Sequence, residues 1–384
     1  MRKMALNLLS LFLIIIILSA CGRGVPGEPG GPAPAVISIW YSMEGKEEQA
    51  LREQLAAINE NCSEVQVKSL KVPKNKFVEQ VWNLQAGGQG PDIVIAPREL
   101  LVTLYEKGAL SPVLADYSNI YPAPLKIFTF KQKPFALPWL IDLPFVFYHK
   151  DKISTPPAGL EEIMSKSSLA MKELDFVLLS PWWQAEGGIL TQNGIPALDS
   201  AGNVAFLEKI ASLEAQKKLI VNREALEKFK KGEIEYLLAW GSDSLELEPD
   251  TWGCISWPSL LGGRGKVILD RTIGIANSSV KTVPALENSI RLVEEELLKA
   301  ETLSALQKTT GYSPAEKSFF SQTRPSTLPA EARLTLEKAW VLEGKALEWQ
   351  VLPYGREAWK NISGGARIES ELAKLQLQVL TDLE

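Results

Sequence analysis

The sequence predicts an α/β protein of two lobes, each a mainly parallel sheet flanked by helices, joined by hinge crossings. Three observations lead there. From Val36 to Leu110, strand-like apolar runs alternate with amphipathic helical segments, an order that gives a parallel sheet with right-handed crossovers. The stretch LPWLIDLPFVFYHKD, Leu137 to Asp151, then breaks the alternation with two prolines and a continuous apolar run. A second series of strands and helices follows it as far as Pro258.

At the start of the chain, Arg2 and Lys3 precede the apolar run Leu8 to Leu18, the pattern of a secretory signal and too short to span a bilayer. Residues 1–20 are therefore expected to be removed. The sequence Leu18-Ser19-Ala20-Cys21 resembles the lipobox of bacterial lipoproteins, which implies cleavage before Cys21 and its lipidation. The competing reading is an uncleaved anchor with an incidental cysteine. Residues 21–35 are rich in Gly and Pro and carry no periodic apolar positions, so they read as a tether. The expected location is outside the cytoplasm, anchored by lipid to a bacterial cell membrane.

The remaining chain is long enough for two domains, and its 23% charged residues with a net charge of −5 suit an ordinary soluble protein. No basic face for nucleic acid is evident. Besides Cys21 there are only Cys62 and Cys254, one on each side of the crossing, and a disulfide between them would oppose hinge motion. His149 is the single histidine and no His/Cys cluster exists, so neither a zinc site nor another cofactor is expected.

Val36 to Tyr41 is β-branched and aromatic and reads as the first core strand. A loop from Ser42 to Lys46 leads to a helix from Glu47 to Asn59, with Leu51, Leu55 and Ile58 on one face. Ligands of open α/β sheets bind at the carboxyl ends of strands, which makes Trp40, Tyr41, Ser42 and Glu44 candidates. Core packing for Trp40 and a solvated helix start for Glu44 are the alternatives. Glu64 to Leu70 alternates as a second strand, Lys74 to Leu84 is helical, and Gly90-Pro91-Asp92 turns into the strand Ile93 to Ala96. A helix from Glu99 to Lys107 follows. Asp92 either caps locally or lines the cleft.

In the crossing, Leu137 and Leu143 each precede a proline and are biased to extended backbone. Phe145 to Tyr148 has no polar face and reads as a buried, parallel-type strand. Asp142 sits among these apolar residues and must either pair structurally or face a wet cleft. The sequence LPWLIDLPFVFYHKDKISTPPAGLEEI, with its Tyr148-x-Lys150-Asp151, Pro156-Pro157 and following helix, resembles the first interlobe crossing of the extracellular solute-binding proteins that include maltose-binding protein.

That resemblance extends through short motifs over residues 36–384. Pro91-Asp92 before an apolar strand, Gly108-Ala109-Leu110, Leu198-Asp199-Ser200 before a long helix (Asn203 to Lys217), Phe229 and Gly232 before the strand Glu233 to Trp240, and Gly311-Tyr312-Ser313-Pro314 keep the family's order. It implies the two-lobed periplasmic-binding-protein fold of type II. The expected lobes are 36–138 with 270–311, and 143–258 with 313–384. A second crossing is expected between Pro258 and Thr272 and a third at Gly311 to Ala315. Asp175 to Leu179 is read as a buried strand, followed by Trp182 and Trp183, which the resemblance casts as a sugar-stacking platform. Packing of both indoles in the lobe core is the alternative. Trp240, Ser242 and Asp243 occupy the family's ligand-touching turn, although Trp240 precedes the glycine instead of following it. Trp359 best fits the family's C-terminal-lobe aromatic, with Trp349 and Tyr354 also within reach of a cleft.

The implied function is capture of a carbohydrate by a monomeric lipoprotein and its delivery to the membrane permease of an ABC importer. A surface glycan hydrolase using two of Glu44, Asp142 and Asp243 is one alternative. A sensor or scaffold that has kept the fold and lost transport is another. No Gly-x-Ser-x-Gly motif supports a hydrolase, and the acids could equally suit a cationic ligand.

Overall fold

A computed structural model describes residues 33–278, 284–322, 328–340, 342 and 346–383. The expected signal peptide, Cys21 and nearly all of the tether lie outside the described residues. The strands of the two large sheets are β1 (Ala35–Tyr41), β2 (Val65–Lys71), β3 (Ile93–Pro97), β4 (Leu110–Ser111), β5 (Leu137–Ile141), β6 (Pro144–His149), β7 (Leu169–Met171), β8 (Leu219–Val221), β9 (Tyr236–Trp240), β10 (Trp252–Ser256), β11 (Thr272–Ser278) and β12 (Ser313–Pro314). Ten helices carry the argument: α1 (Gly45–Asn61), α2 (Lys74–Ala86), α3 (Arg98–Glu106), α4 (Phe176–Ala185), α5 (Ala201–Ala215), α6 (Pro284–Leu298), α7 (Ala300–Thr310), α8 (Leu328–Lys338), α9 (Leu347–Ser363) and α10 (Ile368–Leu383).

The first lobe holds a seven-stranded sheet in the order β12-β5-β11-β3-β1-β2, with β4 pairing β11. The second holds a five-stranded sheet in the order β8-β7-β9-β6-β10. Each sheet is mixed. The βα units supply the parallel ladders, β1 with β2 and β3 in the first lobe and β7 with β8 and β9 in the second. The strands that leave the crossings run the other way. β6 is buried as expected, but it lies antiparallel to both β9 and β10, which corrects the parallel-type reading of Phe145 to Tyr148. Burial on both faces erases the polar alternation whichever way a strand's neighbours run.

In the first lobe Ile37 and Ile39 of β1 meet Leu51 and Leu55 of α1 and Val293, Leu297 and Leu306 of α6 and α7. Phe77 and Val81 of α2 and Leu101 and Leu104 of α3 belong to a second cluster with Val94 and Ala96, the alternate residues of β3. That alternation puts helices on both faces of the sheet.

Residues 175–179 correct a second expectation. They start the helix α4 instead of forming a strand, because the Asp175 carboxylate caps it by accepting the N–H groups of Val177 (2.7 Å) and Leu178 (3.1 Å). The helix is buried from Phe176 to Trp183, so it lacks the polar face that would mark it in the sequence.

The chain passes from β5 to β6 through Asp142 and Leu143 and returns to the first sheet at β11. β12 pairs with β5, so residues 313–314 remain with the first sheet, and the third crossing falls between them and α8, later than expected. α8 packs on β10 and also on the short helix Pro122–Ile127.

Candidate functional site: a cleft at the strand ends

β1 ends at Tyr41, and the next residues, Ser42, Met43 and Glu44, line a cavity of about 580 Å³. Arg98, the first residue of α3, enters from the end of β3, and Tyr312 enters from the segment between α7 and β12. Asp270 and Arg271 form its floor at the second crossing, and Trp349, Leu352, Pro353 and Arg356 of α9 face them from the second lobe. A further basin of about 610 Å³ shares Asp270, Arg271 and Arg356 and extends into the second lobe past Lys172, Arg223 and Lys360. Lys172 follows β7 and Arg223 follows β8, so both sheets present the carboxyl ends of parallel strands to one continuous cleft.

Two cation–π contacts shape it. The Arg98 guanidinium lies 3.5 Å from the centre of the Trp349 ring, a contact from α3 in one lobe to α9 in the other. Burial pushes the Arg98 pKa down to about 10, leaving the group charged at neutral pH. Arg271 lies 3.9 Å over Trp240 and pairs with Asp142 at 3.2 Å. Arg356 pairs with Asp270 at 2.5 Å across the floor. Tyr312 hydrogen-bonds Glu47, and burial drives its phenol pKa upward, so it stays protonated.

Asp142 belongs to the hinge, not to the cleft wall. Its side chain is fully buried and accepts the Ser242 N–H (3.0 Å), the Ser242 hydroxyl (2.8 Å) and an Arg271 N–H. Its own N–H donates to the Arg271 carbonyl at 3.0 Å. Burial raises its pKa to about 6, with Arg271 and Ser242 opposing that rise. One carboxylate thus ties the first crossing, the turn after β9 and the second crossing together. Asp243 accepts the Trp240 N–H at 2.9 Å and burial raises its pKa as well. Gly241 lies against Gly311, the αL residue that ends α7, and a Cβ on Gly311 (φ +74°) would stand 2.6 Å from the Gly241 carbonyl oxygen.

The structure therefore divides the sequence candidates. Ser42 and Glu44 line the cleft. Trp40 lies behind them, half-buried, and Tyr41 is buried with its hydroxyl 3.4 Å from Glu48. Asp92 joins β1 to β3 by accepting the Ser38 N–H at 2.8 Å. Asp142, Trp240, Ser242 and Asp243 build the hinge. Trp182 and Trp183 do not form a platform. Trp183 donates to Asn203 at 2.8 Å and packs on Phe176, and Trp182 packs on Phe206 and Trp257. Trp359 stacks on Phe206 in the same aromatic core, so the C-terminal aromatic that reaches the cleft is Trp349. Arg98, Asp270, Arg271 and Arg356 were not among the candidates. Arg98 could have been found by applying the strand-end rule to Pro97-Arg98-Glu99 as it was applied to Ser42 to Glu44.

Among the described residues no cluster of His, Cys, Asp and Glu could hold a metal ion, and no helix is long and apolar enough to cross a membrane. Cys62 and Cys254 are both free thiols.

This arrangement, two α/β sheets linked by crossings with a cleft at their strand ends, is the two-lobed periplasmic-binding-protein fold, and comparison with solved structures shows the same. The chain superposes on the maltose/maltodextrin-binding domain of Bdellovibrio bacteriovorus bound to maltotriose with a TM-score of 0.69 at 15% identity, covering 91% of this chain and 100% of that one. The maltotriose-binding protein of Thermus thermophilus, also bound with maltotriose, gives a TM-score of 0.69 at 16% identity, with 91% and 100% covered. In sequence, a galactooligosaccharide-binding protein of Bacillus subtilis is 26% identical over 155 residues, 39% of this chain. That alignment spans only 36% of the relative's length. No protein-family model matches the chain.

Proposed function

We propose that the chain is the substrate-binding lipoprotein of an ABC importer, taking an oligosaccharide into the cleft between its lobes. The observation that carries this reading is the lining of the cleft. An indole, Trp349, stands beside polar and charged groups from both lobes and the hinge, the combination that suits a sugar's C–H face and its hydroxyls. The names of the similar proteins, all binders of oligosaccharides, support it. In this reading Ser42, Glu44, Arg98, Tyr312, Trp349 and Arg356 contact ligand, and the lobes close on it about the Asp142 knot. The lipobox-like start supports anchoring through Cys21, with the closed face presented to a permease.

The hydrolase alternative is weakened because Asp142 and Asp243, two of its three carboxylates, are engaged at the hinge. The test is thermal unfolding of the protein against a panel of mono- and oligosaccharides, polyamines and peptides. A ligand at about one hundred times its dissociation constant adds roughly 2.7 kcal/mol and raises the midpoint visibly. A rise with one sugar class upholds the reading, and silence across all sugars overturns it.

A further inference from the structure

The second-lobe basin carries more cations than its neighbours neutralise. Arg271 is paired with Asp142 and Arg356 with Asp270, while Asp175, which caps α4 through the N–H groups of Val177 and Leu178, keeps its negative charge on the basin wall. Lys172, Arg223 and Lys360 remain, all exposed, against two acids on that wall, Glu173 and Asp175, which leaves an excess of one cation. None of the three cations enters an ion pair or side-chain hydrogen bond at contact distance among the described residues, and Asp243 acts on Lys172 only from longer range. This excess stands in a chain whose net charge is −5, and it stands at the strand ends, where a ligand is expected.

The geometry of α9 links the basin to the aromatic end of the cleft. Trp349, Pro353, Arg356 and Lys360 follow one another at helical spacing, so they share one stripe. With 1.5 Å rise per residue, the stripe runs about 16 Å from the indole to the lysine, the reach of a short oligosaccharide.

We propose that the ligand is an acidic oligosaccharide, bound with a sugar ring at Trp349 and its anionic groups, carboxylate or sulfate, in the basin of Lys172, Arg223 and Lys360. This rests on the sugar-binding reading above and adds the charge of the substrate. A polyamine, which the acids of the sequence left open, is disfavoured by the same three cations.

The test measures binding of the full chain in detergent to one linear trisaccharide in neutral, uronate and sulfated forms, by calorimetry at low and high salt. The expected result is an affinity for an anionic form on the order of tenfold or more above the neutral form, the size of one charge-assisted hydrogen bond. The preference should shrink as salt is raised. The double variant Lys172→Gln, Arg223→Gln should bring the ratio of the two affinities toward one, while its unfolding midpoint shows that it folds. A stronger response to the sulfated than to the uronate form upholds the anion subsite and identifies its group. Equal or tighter binding of the neutral form overturns the anion subsite and leaves sugar binding standing, whereas failure of all three forms together with silence across the sugar panel above removes the sugar-binding reading itself.

Discussion

Trp183 and Trp349 show how little an indole's place in a sequence says about its task. Trp183 is 1% exposed, edge-on to Phe176, and the indole approaches Gly188 so closely that a Cβ there would lie 2.1 Å from its nitrogen. Trp183→Ala is expected to cost about 3–5 kcal/mol of stability in denaturant unfolding, the usual cost of emptying a large aromatic site. Trp349→Ala is expected to weaken ligand binding by about 5- to 30-fold, from lost stacking of about 1–2 kcal/mol, with a small change in midpoint. Both residues are apolar, both follow helical spacing, and hydropathy alone cannot separate them. Glu294 illustrates a site no pattern announced. Its buried carboxylate accepts the Ala115 N–H at 3.0 Å, and burial raises its pKa to about 7. With the Asp142 pKa raised to about 6, the folded protein holds protons that the unfolded chain releases. Stability from these two groups is therefore complete only below the ordinary carboxylate values of 3.8 and 4.5, and is lost as pH rises through about 6 for Asp142 and about 7 for Glu294. Unfolding measured across that window should show the decline, and Glu294→Gln should flatten it; an unchanged slope in the variant would rule out Glu294 as its source.

At the scale of elements, helix and strand assignments were legible wherever one face was wet. α1, α2 and α5 carry mixed faces and appear close to where their periodicity puts them. α4 was misread because its burial leaves only the cap to mark it, and a single Asp before an apolar run serves a strand as readily as a helix. Asp175→Ala should cost about 1 kcal/mol, measured by urea unfolding, as the N–H groups of Val177 and Leu178 lose their acceptor. The hinge knot is an element-scale feature too. Gly311→Ala faces both a left-handed backbone and the Gly241 carbonyl, so a loss of about 1–3 kcal/mol is expected. Because the contact joins α7 of one lobe to the turn after β9 of the other, ligand affinity should change along with stability. An affinity equal to wild type in a folded Gly311→Ala protein would separate that contact from closure.

For the whole molecule, the two lobes and the first crossing could be read from the order of motifs, since prolines and an all-apolar strand leave a local signature. The cleft could be read only halfway. Ser42 and Glu44 follow a strand in sequence, but α9 reaches the cleft only by tertiary packing, and its helical pattern names no partner. Closure itself is testable at this scale. Small-angle scattering should show a smaller radius of gyration when saturating ligand is added. Arg98→Ala, which removes the cross-lobe contact with Trp349, should enlarge the ligand-free particle. An unchanged radius in that variant would mean that the contact does not hold the lobes together.

β11 lies between β5 and β3 in the first sheet, yet it follows β3 in the chain only after the whole second sheet has been made. A ribosome adding about 5–20 residues per second would leave the first lobe without this interior strand for on the order of 10 to 35 s. During that wait the edges of β3 and β5 have no permanent neighbour, which is the condition that invites aggregation. It also keeps the chain from locking early into its final shape. The topology thus makes completion of the first sheet wait on synthesis of the second.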